Sequence, residues 1–122
     1  MQTLSKEDMQ LKRICYACDL IDDPELIAEY KKYHLAENAR PEITKSIKDA
    51  GVVSMEIYLL GNRLFMIMEV DETFTPERKQ LMDIANPDVQ KWEQLMWKFQ
   101  QAPPGAKHGE KWLMMEQIYK LP

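Results

Sequence analysis

The residue types best suited to proton chemistry are His34 and Tyr30, four apart in the stretch Glu29-Tyr30-Lys31-Lys32-Tyr33-His34. An imidazole gives and takes a proton near neutral pH, and a phenol can orient a hydroxylated substrate or relay a proton. Four residues apart, the two share one face of a helix. The same spacing also fits a plainer arrangement, with Tyr30 in the core and His34 favoured by the negative end of the helix dipole.

The other reactive types offer less. Cys15 and Cys18 spell C-x-x-C, but they lie in a strand-like run where residues three apart point to opposite faces. Only His34 and His108 could supplement them, so neither a redox pair nor a metal site is expected. Glu56 and Glu69 stand among apolar neighbours, either as acceptors in a sugar-sized pocket or as solvated charges. Trp92 and Trp97 read first as core aromatics. His108 falls in a proline- and glycine-rich loop and is expected in solvent.

Several elements must position these residues. Asp22 or Asp23 caps the helix that carries His34, Pro24 suits its first turn and Glu25 its positive end. Leu26, Ile27, Tyr30, Tyr33 and His34 form its stripe, opposite Glu29, Lys31 and Lys32. A strand over 12–20 precedes this helix, and a second helix from Pro41 ends at Gly51, with Ile43, Ile47 and Ala50 inward. Strands over 52–60 and 63–70 flank the hairpin signal Gly61-Asn62. Thr75-Pro76 opens a third helix with Leu81, Met82 and Ala85 inward, and Asn86-Pro87 a fourth. Val89, Trp92, Leu95, Met96 and Phe99 stripe the fourth, with Glu93, Trp97 and Gln100 to one side. A last strand is expected over 111–119.

That order is β-α-β-β-α-β, a ferredoxin-like α+β fold with an antiparallel sheet and helices on one face. Strands that are apolar on both faces call for a second copy, hence a symmetric homodimer of facing sheets. With 122 residues the chain reads as a single domain with a polar lead-in over about its first ten residues. Sixteen Lys and Arg against twenty Asp and Glu leave a net charge of -4 and no basic block, which argues against nucleic acid as a partner. The absence of a long apolar run argues against a membrane, and the polar start argues for the cytoplasm.

The early strand, Glu29-Tyr30-x-x-x-His34, Pro41-Glu42-Ile43, the run 51–58, the hairpin through Phe65 to Glu69, Gln90-Lys91-Trp92 and the ending Tyr119-Lys120-Leu121-Pro122 follow one another in an order that resembles the L-rhamnose mutarotase family. The resemblance covers nearly the whole chain. It implies a homodimeric α+β barrel that interconverts the α and β anomers of a deoxyhexose, a small monosaccharide, with neither metal nor organic cofactor. His34 matches the family's proton donor, Tyr30 a substrate-binding tyrosine, and Trp92 the first of two adjacent sugar-binding tryptophans. Two substrate-binding positions depart from the pattern: Glu93 stands in place of the second tryptophan and Met55 in place of a sugar-contacting tyrosine. The segment between His34 and Pro41 is also longer by a couple of residues. These departures keep the proton chemistry and open the identity of the sugar, with L-rhamnose first and L-fucose or another deoxyhexose as the alternative. The general base stays open among Glu56, Glu69, Glu93 and a bound water. Two other classes fit the same fold: a sugar-binding module without catalysis, and a small monooxygenase whose pocket Met55, Met66 and Met68 would suit.

Overall fold

The structure is a computed structural model that describes residues 10–122, so nearly all of the polar lead-in lies outside the described residues. Its elements are β1 (Lys12–Leu20), α1 (Pro24–Tyr33), a 3-10 turn (Ala36–Asn38), α2 (Pro41–Asp49), β2 (Val52–Leu60), β3 (Arg63–Val70), α3 (Pro76–Ile84), α4 (Pro87–Met96), β4 (Gln100–Gln101) and β5 (Leu113–Met114). Each α-helix begins with a proline, whose fixed φ suits the first turn and whose missing N–H would have no partner there. Before α1, Asp23 Oδ1 accepts from the amides of Glu25 and Leu26 at 2.9 and 3.1 Å; Thr75 and Asn86 cap α3 and α4 in the same way.

Gly51 follows α2 with φ 101°, and a Cβ there would lie 2.6 Å from both Asp71 Oδ1 and Thr73 Oγ1, so conformation and space both demand glycine. Gly61 turns the β2–β3 hairpin with φ 61°, and no non-glycine residue has positive φ among the described residues, which fits a type II′ turn.

The sheet runs β2-β3-β1-β4, antiparallel throughout, with β5 also paired to β1. This is the ferredoxin-like order. Register places Ile14 opposite Met68, Tyr16 opposite Met66 and Cys18 opposite Leu64, with Met55 and Ile57 of β2 facing Met68 and Met66. These residues form the inner face, against which the helices pack. One core gathers Ile14, Ala50, Val52, Met68, Val70 and Phe74, and the other Cys18, Leu20, Tyr30, Leu64, Met96 and Phe99. The alternate residues Cys15, Ala17, Phe65 and Ile67 form the outer face and belong to neither core.

Three expectations are corrected. The final strand over 111–119 shrinks to Leu113–Met114: β4 occupies the β1 edge at Asp19–Leu20, β5 at Tyr16–Ala17, and residues 102–112 leave the edge between them. Pro103 and Pro104 have no amide to donate there, and Gly105 and Gly109 turn the chain at φ 89° and 85°. After the Met115 amide bonds the Cys15 carbonyl at 2.7 Å, the tail runs free of the ladder, with Ile118 90% exposed. Of the strand-prone stretch Trp112 to Tyr119, only Leu113–Met114 pairs, with Tyr16–Ala17 of β1. In α3, Met82 packs on the core, but Leu81 is 70% exposed and Ala85 is exposed too, because α3 lies against α4 and reaches the end of α2 through Arg78, which donates to the Asp49 and Ala50 carbonyls. In α4 the helix ends at Met96, and the turn from Met96 to Phe99 hands Gln100 to the sheet instead of the helix flank.

Candidate active site

The helices do not close fully on the inner face. They leave a cleft of about 820 Å³, a volume that suits a small molecule. Met55, Ile57, Met66 and Met68 floor it from the sheet; Tyr30, Tyr33 and His34 come from α1 and its C-terminal cap. Arg40 reaches in ahead of α2, Trp92 and Glu93 from α4, Gln100 from β4, and Lys111 and Trp112 from the excursion between β4 and β5.

His34 caps α1, and its Nδ1 lies 2.8 Å from the Tyr30 carbonyl oxygen. A carbonyl only accepts, so Nδ1 carries the hydrogen and Nε2 of the neutral ring is left with its lone pair. The ring stacks on Tyr30 with centroids 4.2 Å apart at 30°, and the Trp92 centroid is 5.7 Å away. Partial burial against these groups holds the His34 pKa below its ordinary 6.5, and the hydrogen bond to the Tyr30 carbonyl opposes the shift only in part. At neutral pH the group is therefore a neutral imidazole with its proton-accepting nitrogen free.

Tyr30 is buried, and its hydroxyl accepts from Gln100 Nε2 at 3.2 Å. Burial pushes its pKa upward, so the phenol keeps its proton and can donate it in a hydrogen bond. Trp92 carries the Arg40 guanidinium over its ring at 5.0 Å and meets the edge of Tyr33 at 6.4 Å. Lys111 Nζ lies 2.5 Å from Glu93 Oε2 and 4.8 Å from the Trp97 ring centroid.

His34, Tyr30, Trp92, Glu93 and Met55 thus line one cleft. Glu56 does not: it stands on the outer face, is exposed, and accepts from the Tyr58 hydroxyl at 2.5 Å. Glu69 also alternates onto that face, opposite Arg13. Of the carboxylates considered as base, only Glu93 lines the cleft. His108 is exposed, and both cysteines are free, with burial pushing the Cys18 thiol up to about 12. Arg40, Gln100, Lys111 and Trp112 went unnoticed as site residues in the sequence. The available signal was a lone lysine heading an otherwise apolar run, Lys111-Trp112-Leu113-Met114-Met115.

A family model described as L-rhamnose mutarotase matches residues 13–121. The chain belongs to the L-rhamnose mutarotase family. It is accordingly a sugar mutarotase, an isomerase acting on carbohydrate anomers. An L-fucose mutarotase of Xanthomonas campestris pv. campestris is 42% identical over 113 residues, 93% of this chain and 90% of the relative. A Dictyostelium discoideum protein is 39% identical over 114 residues, 90% of each chain. The crystal structure of an L-rhamnose mutarotase from Formosa agariphila superposes with a TM-score of 0.65 over 91% of this mutarotase and 99% of that chain, at 21% identity, a match of fold.

Proposed function

We propose that this mutarotase acts on a 6-deoxyhexose, with L-fucose preferred over L-rhamnose, and that His34 carries the proton. The observation that carries the reading is the His34 Nδ1 contact with the Tyr30 carbonyl, which leaves Nε2 as the working atom. Neutral His34 accepts the proton of the anomeric hydroxyl while the bond from the anomeric carbon to the ring oxygen breaks. The ring oxygen takes a proton from a second donor, the Tyr30 hydroxyl or a water. Rotation about the first carbon–carbon bond then presents the other face of the aldehyde. The former ring oxygen attacks that face and returns its proton to the tyrosinate or hydroxide left by the second donor, while the imidazolium returns its own to the carbonyl oxygen. The donor role implied by family resemblance is the second half of this cycle. Positioned acid–base help of this kind contributes about a hundredfold to ten-thousandfold.

Trp92 offers an apolar surface to the sugar's C–H groups and methyl, and Glu93 accepts from its hydroxyls. Preference for L-fucose is supported by the polar Glu93 where the family has a tryptophan, and by the similarity to an L-fucose mutarotase. A homodimer is supported by the half-buried Cys15, Ala17, Phe65 and Ile67 on the outer sheet face, joined by the exposed tail residues Ile118, Tyr119 and Leu121. Among the described residues no helix is long and apolar enough to cross a membrane. Exchange NMR on equilibrated L-fucose and L-rhamnose, with and without catalytic protein, tests the substrate. Faster anomer exchange in L-fucose supports the reading, faster exchange in L-rhamnose alone reverses the preference, and no acceleration in either sinks it.

A further inference from the structure

Two buried side-chain polar atoms have no hydrogen-bond partner among the described residues, and they belong to Gln100 and Lys111, which line the same cleft. Gln100 is 4% exposed, and its Nε2 is committed to the Tyr30 hydroxyl, which leaves Oε1 without a donor. The Lys111 side chain is 8% exposed; its ammonium approaches Glu93 closely enough for an ion pair but without hydrogen-bond alignment, and its remaining side rests on Trp97. A buried acceptor and a buried ammonium left in this state cost free energy, and folded proteins nearly always supply partners for such groups. Here the two have opposite polarity, and both residues line one cavity. A ligand whose hydroxyls supply a donor to one and an acceptor to the other completes both.

We propose that Gln100 and Lys111 are the acceptor and donor that read hydroxyls of the sugar, and so set which deoxyhexose the cleft admits. This rests on the mutarotase reading of the same cleft. Gln100 also holds Tyr30, so it links recognition of hydroxyls to the wall on which His34 stacks. Lys111 owes its place to the chain leaving the β1 edge between β4 and β5, which swings a cationic side chain from the edge of the sheet over the cleft. A site built to bond a hydroxyl discriminates strongly against sugars that put it elsewhere, because the buried groups are then left unpaired.

The test is Lys111→Met and Gln100→Leu, with anomer-exchange kinetics and melting curves with and without saturating L-fucose or L-rhamnose. The expected result is a KM raised by about ten- to a hundredfold for the preferred sugar, a smaller change in kcat, and loss of most of the sugar-induced rise in Tm. The sugar-free Tm of Lys111→Met should stay close to wild type, since a half-exposed Glu93 loses its ion-pair partner while the methionine can keep an apolar contact with Trp97. Against the monodeoxy analogue that lacks the hydroxyl it reads, each variant should bind no worse than wild type. Lys111→Gln, which keeps a donor, should recover part of the loss. If Gln100→Leu fails to fold, Lys111→Met decides alone. Unchanged KM and an unchanged sugar-induced Tm shift in an otherwise active background would overturn this assignment while leaving the mutarotase intact. A wild-type protein that accelerates no sugar would remove both.

Discussion

The two faces of the sheet are incomplete in opposite ways. On the outer face the polar side chains that border it are paired: Arg63 grips Asp19 through Nε and Nη2 at 2.7 and 3.1 Å, and Tyr58 donates to Glu56. What that face lacks is cover for Cys15, Ala17, Phe65 and Ile67. On the inner face the apolar residues are covered by helices, and what is missing is polar: a donor for Gln100 Oε1, and an aligned hydrogen-bond acceptor for Lys111 Nζ beside its ion pair with Glu93. Unfinished apolar surface calls for another apolar surface, whereas unfinished hydrogen bonding calls for a small hydroxylated molecule. The proposed assembly would use one face and the proposed chemistry the other, and substitutions should separate the two.

The largest effect should come from His34→Ala. It removes the group proposed to carry the proton and should lower kcat by about a hundredfold to ten-thousandfold, with a melting temperature near wild type because His34 lies at a partly exposed helix cap. Anomer exchange at full rate would take His34 out of the mechanism. Ile67→Lys should act only on the other face. A charge placed among uncovered apolar residues should weaken dimerisation by about a hundredfold or more, visible by light scattering across a dilution series, with activity per chain held within about twofold. Wild-type protein that is monomeric at every concentration would break the contrast from the assembly side. Trp92→Ala should raise KM by about tenfold while sparing kcat. Trp92 also packs on the second core, so a melting curve must show that enough folded protein remains.

Much of this was legible in the sequence because some signals are local. Each helix start combines proline with a preceding residue that can cap or extend the chain, and Gly51 and Gly61 mark turns that their φ values require. The four-residue spacing of Tyr30 and His34 survives folding because a helix preserves it. Glu56 and Glu69 were placed on their strands correctly, but a period of two cannot say which face of a sheet carries the cleft. Gln100 and Lys111 were harder still. They meet Tyr30 and Glu93 only because β4 and β5 share the β1 edge with an excursion between them, a tertiary arrangement with no local signature. Departures from the family pattern at Glu93 and Met55 could be seen, yet the lysine that answers Glu93 could not be chosen from sixteen Lys and Arg without the fold.

The smallest effect is one of pH, and its sign tests the proton inventory of the inner face. Two assignments of resting His34 give opposite profiles. If the neutral ring is the working form, kcat/KM is flat above neutrality and falls as pH drops through the His34 pKa, which burial holds below 6.5. At pH 6.5 more than half of the enzyme is then still neutral, so the loss there is less than about twofold, and the steep fall comes only at lower pH. If resting His34 had to be protonated, activity would instead decline as pH rises from 5 toward 8. The Tyr30 phenol, raised by burial, stays protonated across this range and adds no limb of its own. An acid limb that disappears in His34→Gln, along with most of the rate, would tie the titration to this ring. An alkaline limb near neutrality would mean that the hydrogen bond to the Tyr30 carbonyl secures an imidazolium, and the first proton would then move from His34 to the ring oxygen.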